Sequence, residues 1–425
     1  MTEQVDVVVV GAGAAGLMAA IQSRRHDPTR SVLVLDGART LGAKILIAGG
    51  GRCNVTHDHV DETAFAGSTR PAIRKVLRRF DVPATVAFFS HIGVELKREE
   101  TGKLFPVTDR ARTVLNALLE ETRRSGAVIR FPRRVRAVAR DGEGFVISGD
   151  WGAARAARVV IATGGRSIPK SGSDGYGYQL VQALGHSITS LVTPGLVPLT
   201  LPREHFLCGL AGITLPATLE LRSGTGKRLV SFTDSTLLTH FGISGPSALD
   251  ISRYYLHARA GDAGAALFVN WLPATETGAL DNDLQSLGVR GVLAWARERL
   301  PERLARALCD HAGVDSALRG DQLPRAGRRA LVAAMTDFRL PLTGSRGYGF
   351  AEVTAGGVPL SELHLDTMES RVCPGLYLIG EICDVDGRIG GYNFQWAWAS
   401  GWVAGTAAAA GGGQRDPRPA RGRSS

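Results

Sequence analysis

Residues 5–10 form an almost unbroken β-branched run that passes directly into Gly11-Ala12-Gly13-Ala14-Ala15-Gly16 and then into a helix-forming stretch over 17–25. A run of that kind, closed by glycine, reads as a parallel strand buried on both faces. Strand, glycine turn and helix in that order leave few folds open. Gly11 permits the tight turn, Gly13 lets the backbone approach a pyrophosphate, and Gly16 lets the helix pack against the strand, whose exit aims the helix N-terminus at the phosphates. A second apolar strand, 31–35, ends in Asp36, twenty positions beyond Gly16. An acid at that place accepts hydrogen bonds from a ribose diol and repels a phosphorylated ribose. These residues predict an α/β dinucleotide-binding domain with Gly11, Gly13, Ala14, Ala15, Gly16 and Asp36 on the ligand. They do not choose between a nicotinamide and a flavin dinucleotide.

The distal end makes the choice. Pro374-Gly375-Leu376-Tyr377-Leu378-Ile379-Gly380-Glu381 reads as a turn, a buried strand and a glycine followed by an acid; Asp384, Asp386 and Gly390-Gly391 come next, then a helix from about Asn393. A plain NAD dehydrogenase would carry substrate residues here and no further cofactor signature. The pattern resembles the glutathione-reductase-type FAD fold, in which a late strand ending in Gly-Asp or Gly-Glu returns to the first domain and its acid binds the ribityl chain. Glu381 stands at that position. The helix opening at Gly391-Tyr392-Asn393 would direct free N–H groups at the flavin pyrimidine, where a reduced flavin carries negative charge. Residues 159–165, a buried strand ending in Ala162-Thr163-Gly164-Gly165, match the segment that passes near the adenosine end in that superfamily.

More narrowly, the chain resembles a bacterial family of NAD(P)/FAD-dependent oxidoreductases that is aminoacetone-oxidase-like and includes members linked to bile-acid dehydroxylation. The resemblance rests on Gly49-Gly50-Gly51-Arg52-Cys53-Asn54-Val55-Thr56, Gly102-Lys103-Leu104-Phe105-Pro106, Thr239-His240-Phe241-Gly242-Ile243-Ser244-Gly245-Pro246, Val353-Thr354-Ala355-Gly356-Gly357-Val358, Thr367-Met368-Glu369-Ser370 and the stretch from Gly380 to Gln395. It runs from residue 5 to about 405. Two departures stand out: Asp36 where the family more often has Glu, and Ala48 and His57 around the triple-glycine core where Ser and Asn are usual. The first keeps the charge that a ribose needs. The second bears on substrate identity, because that segment should lie along the flavin.

The resemblance implies an α/β protein with a glutathione-reductase-type, Rossmann-like FAD domain and a non-covalent FAD. It adds Gly50, Gly51, Asn54, Val135, Ala162, Thr163, Gly164, Gly380, Glu381, Asp386, Gly390, Gly391, Tyr392 and Asn393 to the expected cofactor contacts. Arg52 would supply a fixed positive charge to the pyrophosphate or the flavin edge, and Lys44 is a second candidate for the phosphates. Cys53 is either a redox thiol beside the flavin or, the plainer reading, a small packed loop residue. His240 lies in a Gly- and Pro-rich turn, where it could exchange a proton with substrate or simply brace the loop. His186 follows a helix and reads as its C-terminal cap. No Ser-His-Asp arrangement or metal-ligand cluster stands out, so no metal is expected and hydride transfer at flavin N5 would carry the chemistry.

A chain of 425 residues exceeds one ordinary core. The middle changes character twice, which predicts a discontinuous FAD domain (1–193 and 346–411). Its insert has a β-rich, barrel-like part (194–270 and 336–345) and a helical part (271–335), which by analogy would cap the flavin and choose the substrate. Residues 412–425 read as a disordered tail. Gly175-Tyr176-Gly177 and Gly347-Tyr348-Gly349 lack the setting of a second dinucleotide fingerprint, so NAD(P)H is expected only as a transient donor. The five cysteines, Cys53, Cys208, Cys309, Cys373 and Cys383, have no Cys-x-x-Cys spacing, which fits a reducing cytoplasm. No membrane segment is expected. The formal charge of +10 is read as a solvated basic surface, with a nucleic-acid partner not expected. The function expected is therefore an FAD-dependent oxidoreductase moving hydride between FAD and a small organic substrate. The alternative, from the charge, is a flavin-dependent RNA-binding or RNA-modifying protein.

Overall fold

The computed structural model describes residues 3–142 and 144–410, so the tail expected over 412–425 lies outside the described residues. The chain divides into two compact units, one drawn from Met1–Gly165, Lys170–Ser190 and Gly356–Ser425, the other from Arg166–Pro169 and Leu191–Ala355.

The first unit is built on a nine-stranded sheet. Its centre is parallel: Glu3–Val10 lies between Val32–Leu35 and Gly152–Ile161, with Val128–Arg130 beyond the former and Leu376–Leu378 beyond the latter. Val7, Val8, Val9, Val32, Leu33, Val34, Val159, Val160 and Ile161 are buried, as central strands covered on both faces require. The helix Ala14–His26 leaves the first strand and packs along the last helix, Tyr392–Ala409. The two backbones meet closely because small residues line the contact. A Cβ on Gly401 would stand 2.6 Å from the Ala15 carbonyl oxygen, and one on Gly405 would stand 2.5 Å from that of Ala19. Ser23 donates to the Gly405 carbonyl at 2.9 Å across the same seam.

Gln395 fixes the start of that last helix. Its buried side-chain oxygen accepts from Thr56 Oγ1 at 2.7 Å and Thr85 Oγ1 at 2.9 Å, while its Nε2 donates to the Phe80 carbonyl at 2.8 Å. Trp398 Nε1 donates to the Val55 carbonyl at 2.9 Å. Two segments far from it in sequence, 55–56 and 80–85, are thus tied to one helical turn, with polar groups that would be costly if left unpaired.

His186 closes the preceding helix, Tyr176–Ala183, through its backbone as expected, its amide donating to the Val181 carbonyl at 3.1 Å. Its imidazole does not face the helix end but is buried between Glu362 (Nδ1 to Oε2, 2.7 Å) and Ser370 (Nε2 to Oγ, 2.8 Å). The order Ser, His, Glu has the connectivity of a hydrolytic triad, but Ser370 is 2% exposed and its oxygen already accepts from the Cys373 and Val372 amides. It is a strut that holds the stretch 360–373. Burial alone would raise the Glu362 carboxyl, yet hydrogen bonds from Ser187 and His186 outweigh it and hold the group below its ordinary value.

The second unit carries a seven-stranded antiparallel sheet in the order Phe338–Leu340, Ala266–Asn270, Thr214–Arg222, Arg228–Thr239, Gly242–Ser244, Leu199–Thr200, Gly344–Ser345. Thr214–Arg222 buries alternate residues, the period of a sheet with one covered face. Helices Pro246–Gly261, Thr277–Gln285, Val292–Arg297, Glu302–His311 and Arg325–Thr336 contribute to the same core, in which Trp271, Trp295, Leu219, Leu267, Leu304, Leu331 and Met335 are all buried. Among the described residues no helix is long and apolar enough to cross a membrane.

Two measurements test this account. Gly401→Val should cost about 1–3 kcal/mol in denaturant unfolding, because neither backbone can retreat. A carboxyl depressed in the folded state contributes stability above its unfolded pKa that is lost as pH falls through the folded value. Glu362→Gln should therefore cost about 1 kcal/mol at pH 7, and the gap to the parent chain should close in acid below that folded value. A gap independent of pH would remove the strut from the carboxylate's account.

Candidate cofactor site

The parallel register brings four strand ends to one edge: Val10 pairs with Leu35 and with Ile161, and Ile161 pairs with Leu378. The residues that follow each strand are therefore neighbours. The Gly11 amide donates to the Leu35 carbonyl at 2.8 Å, the Ala162 amide to Val10 at 2.8 Å, and the Ile379 amide to Ile161 at 3.1 Å. A Cβ on Gly380 would stand 3.0 Å from the Ala15 Cβ, so the distal Gly-Glu motif lies against the first turn of the helix that the N-terminal glycines open. The two stretches expected to share one ligand do converge.

The glycines divide the labour as their order implies. A Cβ on Gly16 would overlap the Gly11 carbonyl, whereas one on Gly13 meets nothing within 4 Å. Gly13 caps the helix Ala14–His26 in extended conformation, leaving open space in front of amides that lack intrahelical partners. This is the arrangement in which a helix N-terminus receives a pyrophosphate. The Asp36 carboxylate is oriented by the Ala12 amide at 2.6 Å and the Ala38 amide at 2.7 Å, each on a different oxygen. Further lone pairs remain for ribose hydroxyls.

Buried polar atoms give a separate check on whether FAD fits. The side-chain oxygens of Asn54, Thr163 and Ser173 are buried and meet no hydrogen-bond partner within the protein. Native interiors seldom leave such atoms unsatisfied, and Asn54 and Thr163 belong to the loop and strand end expected on the cofactor. Ser173 was not expected; it stands beside Gly164, whose Cβ would lie 2.7 Å from its Oγ. No local sequence pattern marks it.

Other expected contacts have definite positions. Gly50 and Gly51 close the kinked helix Ala43–Gly51. Lys44 Nζ lies 2.5 Å from Glu381 Oε2, so the two charges expected on different parts of the cofactor are joined to each other. Arg52 is paired with Glu99 at 2.5 Å, lies 3.7 Å from Asp109, and stacks on the Phe105 ring at 3.9 Å. Its charge is already balanced by protein acids. Cys53 is fully buried and burial pushes its thiol up to about 12, so it packs the loop as a neutral thiol at physiological pH. Val135 is buried. Asn393 spends its amide on Gly387, accepting from the amide and donating to the carbonyl at 2.8 and 2.9 Å. It shapes the loop that precedes Gly390 and Gly391, and Asp386 is buried in the same loop. Tyr392 stacks on His57, with centroids 5.0 Å apart, and meets Phe65 edge-on. His57 donates from Nε2 to the Thr101 carbonyl at 2.9 Å and sets Nδ1 2.9 Å from Asp58. His240 belongs to the second unit, where it is exposed and packs edge-on to Phe241.

Fold and site together define a Rossmann-type dinucleotide-binding enzyme of the FAD class. Over residues 5–407 the chain matches the HI0933-like protein Rossmann domain, and it belongs to that family of FAD-dependent oxidoreductases. It is 34% identical over 408 residues to the ribosomal RNA dihydrouridine synthase of Escherichia coli (strain K12), covering 94% of this chain and 97% of that one. It is also 34% identical over 405 residues to the 3-dehydro-bile acid delta(4,6)-reductase of Clostridium scindens, covering 94% and 98%. Among solved structures, an Escherichia coli quinol fumarate reductase variant superposes with a TM-score of 0.53 at 17% identity, covering 98% of this chain and 72% of that one. The 3-ketosteroid delta1-dehydrogenase of Sterolibacterium denitrificans superposes at 0.51 with 14% identity, covering 96% and 100%. These two likenesses are likenesses of fold.

Gly13 and Gly16 provide the test of the site. Gly13→Leu should fold normally and lose FAD affinity by roughly tenfold or more, each factor of ten being about 1.4 kcal/mol. Gly16→Leu should instead lose stability. Equal flavin content in parent and Gly13→Leu proteins, read from visible absorbance after gel filtration, would move the cofactor away from this turn.

Proposed function

We propose that the protein is an FAD-dependent reductase of a carbon–carbon double bond conjugated to a carbonyl, acting on a small organic substrate, with NAD(P)H as a transient donor. The observation that carries this reading is the meeting of the N-terminal glycine turn with the Gly380-Glu381 motif at one sheet edge. It is supported by chemistry common to two relatives. Dihydrouridine differs from uridine by two hydrogens across a ring double bond conjugated to a carbonyl, and a Δ4,6 reductase of a 3-oxo bile acid saturates bonds conjugated to that oxo group.

When bound, FAD would supply the hydride-transfer chemistry between donor and conjugated double bond, with a proton from solvent or protein completing the saturated product. The residues of this chain would bind and orient. Gly11, Gly13 and Gly16 admit the diphosphate, Asp36 takes the adenosine ribose, and Glu381 takes the ribityl chain, a contact that exchanges with Lys44. The first amides of Tyr392–Ala409 favour negative charge at the pyrimidine edge. Five cysteines present as free thiols support a cytoplasmic location.

A second reading, in which the double bond belongs to a uracil in RNA, is favoured by the +10 charge and by the ribosomal RNA relatives in Escherichia coli and Haemophilus influenzae. It sets aside the expectation of no nucleic-acid partner. Anaerobic stopped-flow mixing tests both. NADH or NADPH should bleach the flavin, and an enone or a uridine-bearing RNA should restore its colour with a product two hydrogens heavier. If no enone and no RNA reoxidises the flavin while oxygen does, the reductase reading is wrong.

A further inference from the structure

In the second unit, two motifs that the cofactor site does not use lie side by side: Thr239-His240-Phe241-Gly242 and Arg346-Gly347-Tyr348-Gly349-Phe350. The backbone holds them there. Phe241 sits in the turn between Arg228–Thr239 and Gly242–Ser244, and its carbonyl accepts from the Leu201 amide at 3.0 Å. Arg346 follows Gly344–Ser345, which pairs with Leu199–Thr200, and its amide donates to the Pro198 carbonyl at 3.0 Å. Gly347, at φ +72°, turns the chain into the short helix Tyr348–Phe350. The Tyr348 hydroxyl donates to the Val192 carbonyl at 2.8 Å.

The result is a guanidinium clamped between two rings. The Arg346 carbon lies 3.4 Å from the Phe350 centroid and 4.5 Å from that of Phe241. Among the described residues it has no carboxylate within ion-pair distance and no side-chain hydrogen bond. Other arginines of the same unit, Arg222, Arg290, Arg299, Arg319 and Arg328 among them, are paired with acids. Phe350 is 52% exposed even with Arg346 against it, so much of its ring remains open to solvent. His240, also exposed, extends the aromatic surface beside Phe241.

An exposed ring beside an uncompensated, pre-oriented guanidinium is a stacking surface with an anion contact. Those are the two elements by which proteins hold an unstacked nucleotide: a base lies on an aromatic or guanidinium plane while a phosphate or base carbonyl takes the N–H edge. A purely structural clamp would not need the ring exposed or the charge uncompensated. We propose that Phe241, Arg346 and Phe350 form a binding site for a single unpaired nucleotide of an RNA chain, with His240 at its margin. This rests on the RNA reading of the substrate and adds where on the second unit the strand is gripped.

The test uses full-length holoprotein and a fluorescein-labelled single-stranded RNA containing uridine, titrated across a salt series. Phe350→Ala should weaken binding about tenfold with the salt slope unchanged, since stacking releases no counterions. Arg346→Gln should weaken it by a similar factor and lower the slope of log K against log salt by about 0.7, the share of one phosphate on a single strand. Phe350→Tyr should restore affinity, and Arg290→Gln, which removes a paired arginine, should bind like the parent. Both residues are at least partly exposed, and unchanged FAD content would show that the fold is intact. If the parent binds with salt dependence and both variants bind equally well, this site is wrong and the RNA reading stands. If the parent binds no RNA, both fall. If the variants leave RNA affinity alone but raise KM for a carboxylate-bearing enone, the surface is a small-anion site and the proposal is overturned.

Discussion

The hydrogen bonds between Glu3–Val10 and its two parallel neighbours determine everything that the first unit can do. Parallel pairing with a common register places the strand exits at a single edge, and each exit carries a different chemical part: glycine amides, the Asp36 carboxylate, the Ala162-Thr163 bend, and the Gly380-Glu381 turn. Ligands gather at such an edge in open α/β sheets because loops diverge there and leave a crevice. A slip of one residue in any of these pairings would reverse the faces of a strand buried on both sides and carry its exit out of line.

Close approach is the second constraint. The first and last helices touch through Gly401 and Gly405, so the helix opened by the N-terminal glycines is braced by the one opened by Gly390-Gly391. Gln395 then anchors that second start to Thr56, Thr85 and Phe80. Preorganisation of this kind is what makes backbone dipoles effective, since they need not reorient when charge appears.

Much of the first unit was legible because its signals are local. A buried strand followed by spaced glycines announces itself within a dozen or so residues, and Thr214–Arg222 likewise shows its alternation directly. What stayed hidden depends on pairing across long sequence distance. Nothing near Lys44 points to Glu381, nothing near Arg52 shows that Glu99 and Asp109 lie beside it, and His186 gives no local hint of Glu362 and Ser370. The helix Ala43–Gly51 was also obscure, because it bends at Ala48 to Gly50 and ends in a glycine run, where propensity argues against helix. Nothing near Asn393 in sequence shows that its amide pairs with Gly387.

The chain order of the first unit has a consequence for its birth on the ribosome. The strand Leu376–Leu378 and the helix Tyr392–Ala409 complete a sheet and cover a helix whose other parts are synthesised first. The side of Ala14–His26 that meets Tyr392–Ala409 stays uncovered until that helix has been synthesised, while the second unit, contiguous from Leu191 to Ala355 but for Arg166–Pro169, can condense earlier. Long-range closure of this sort is slow and exposes surface that chaperones recognise. A nascent chain halted before Gly380 would lack the turn that meets Ala15 at this edge.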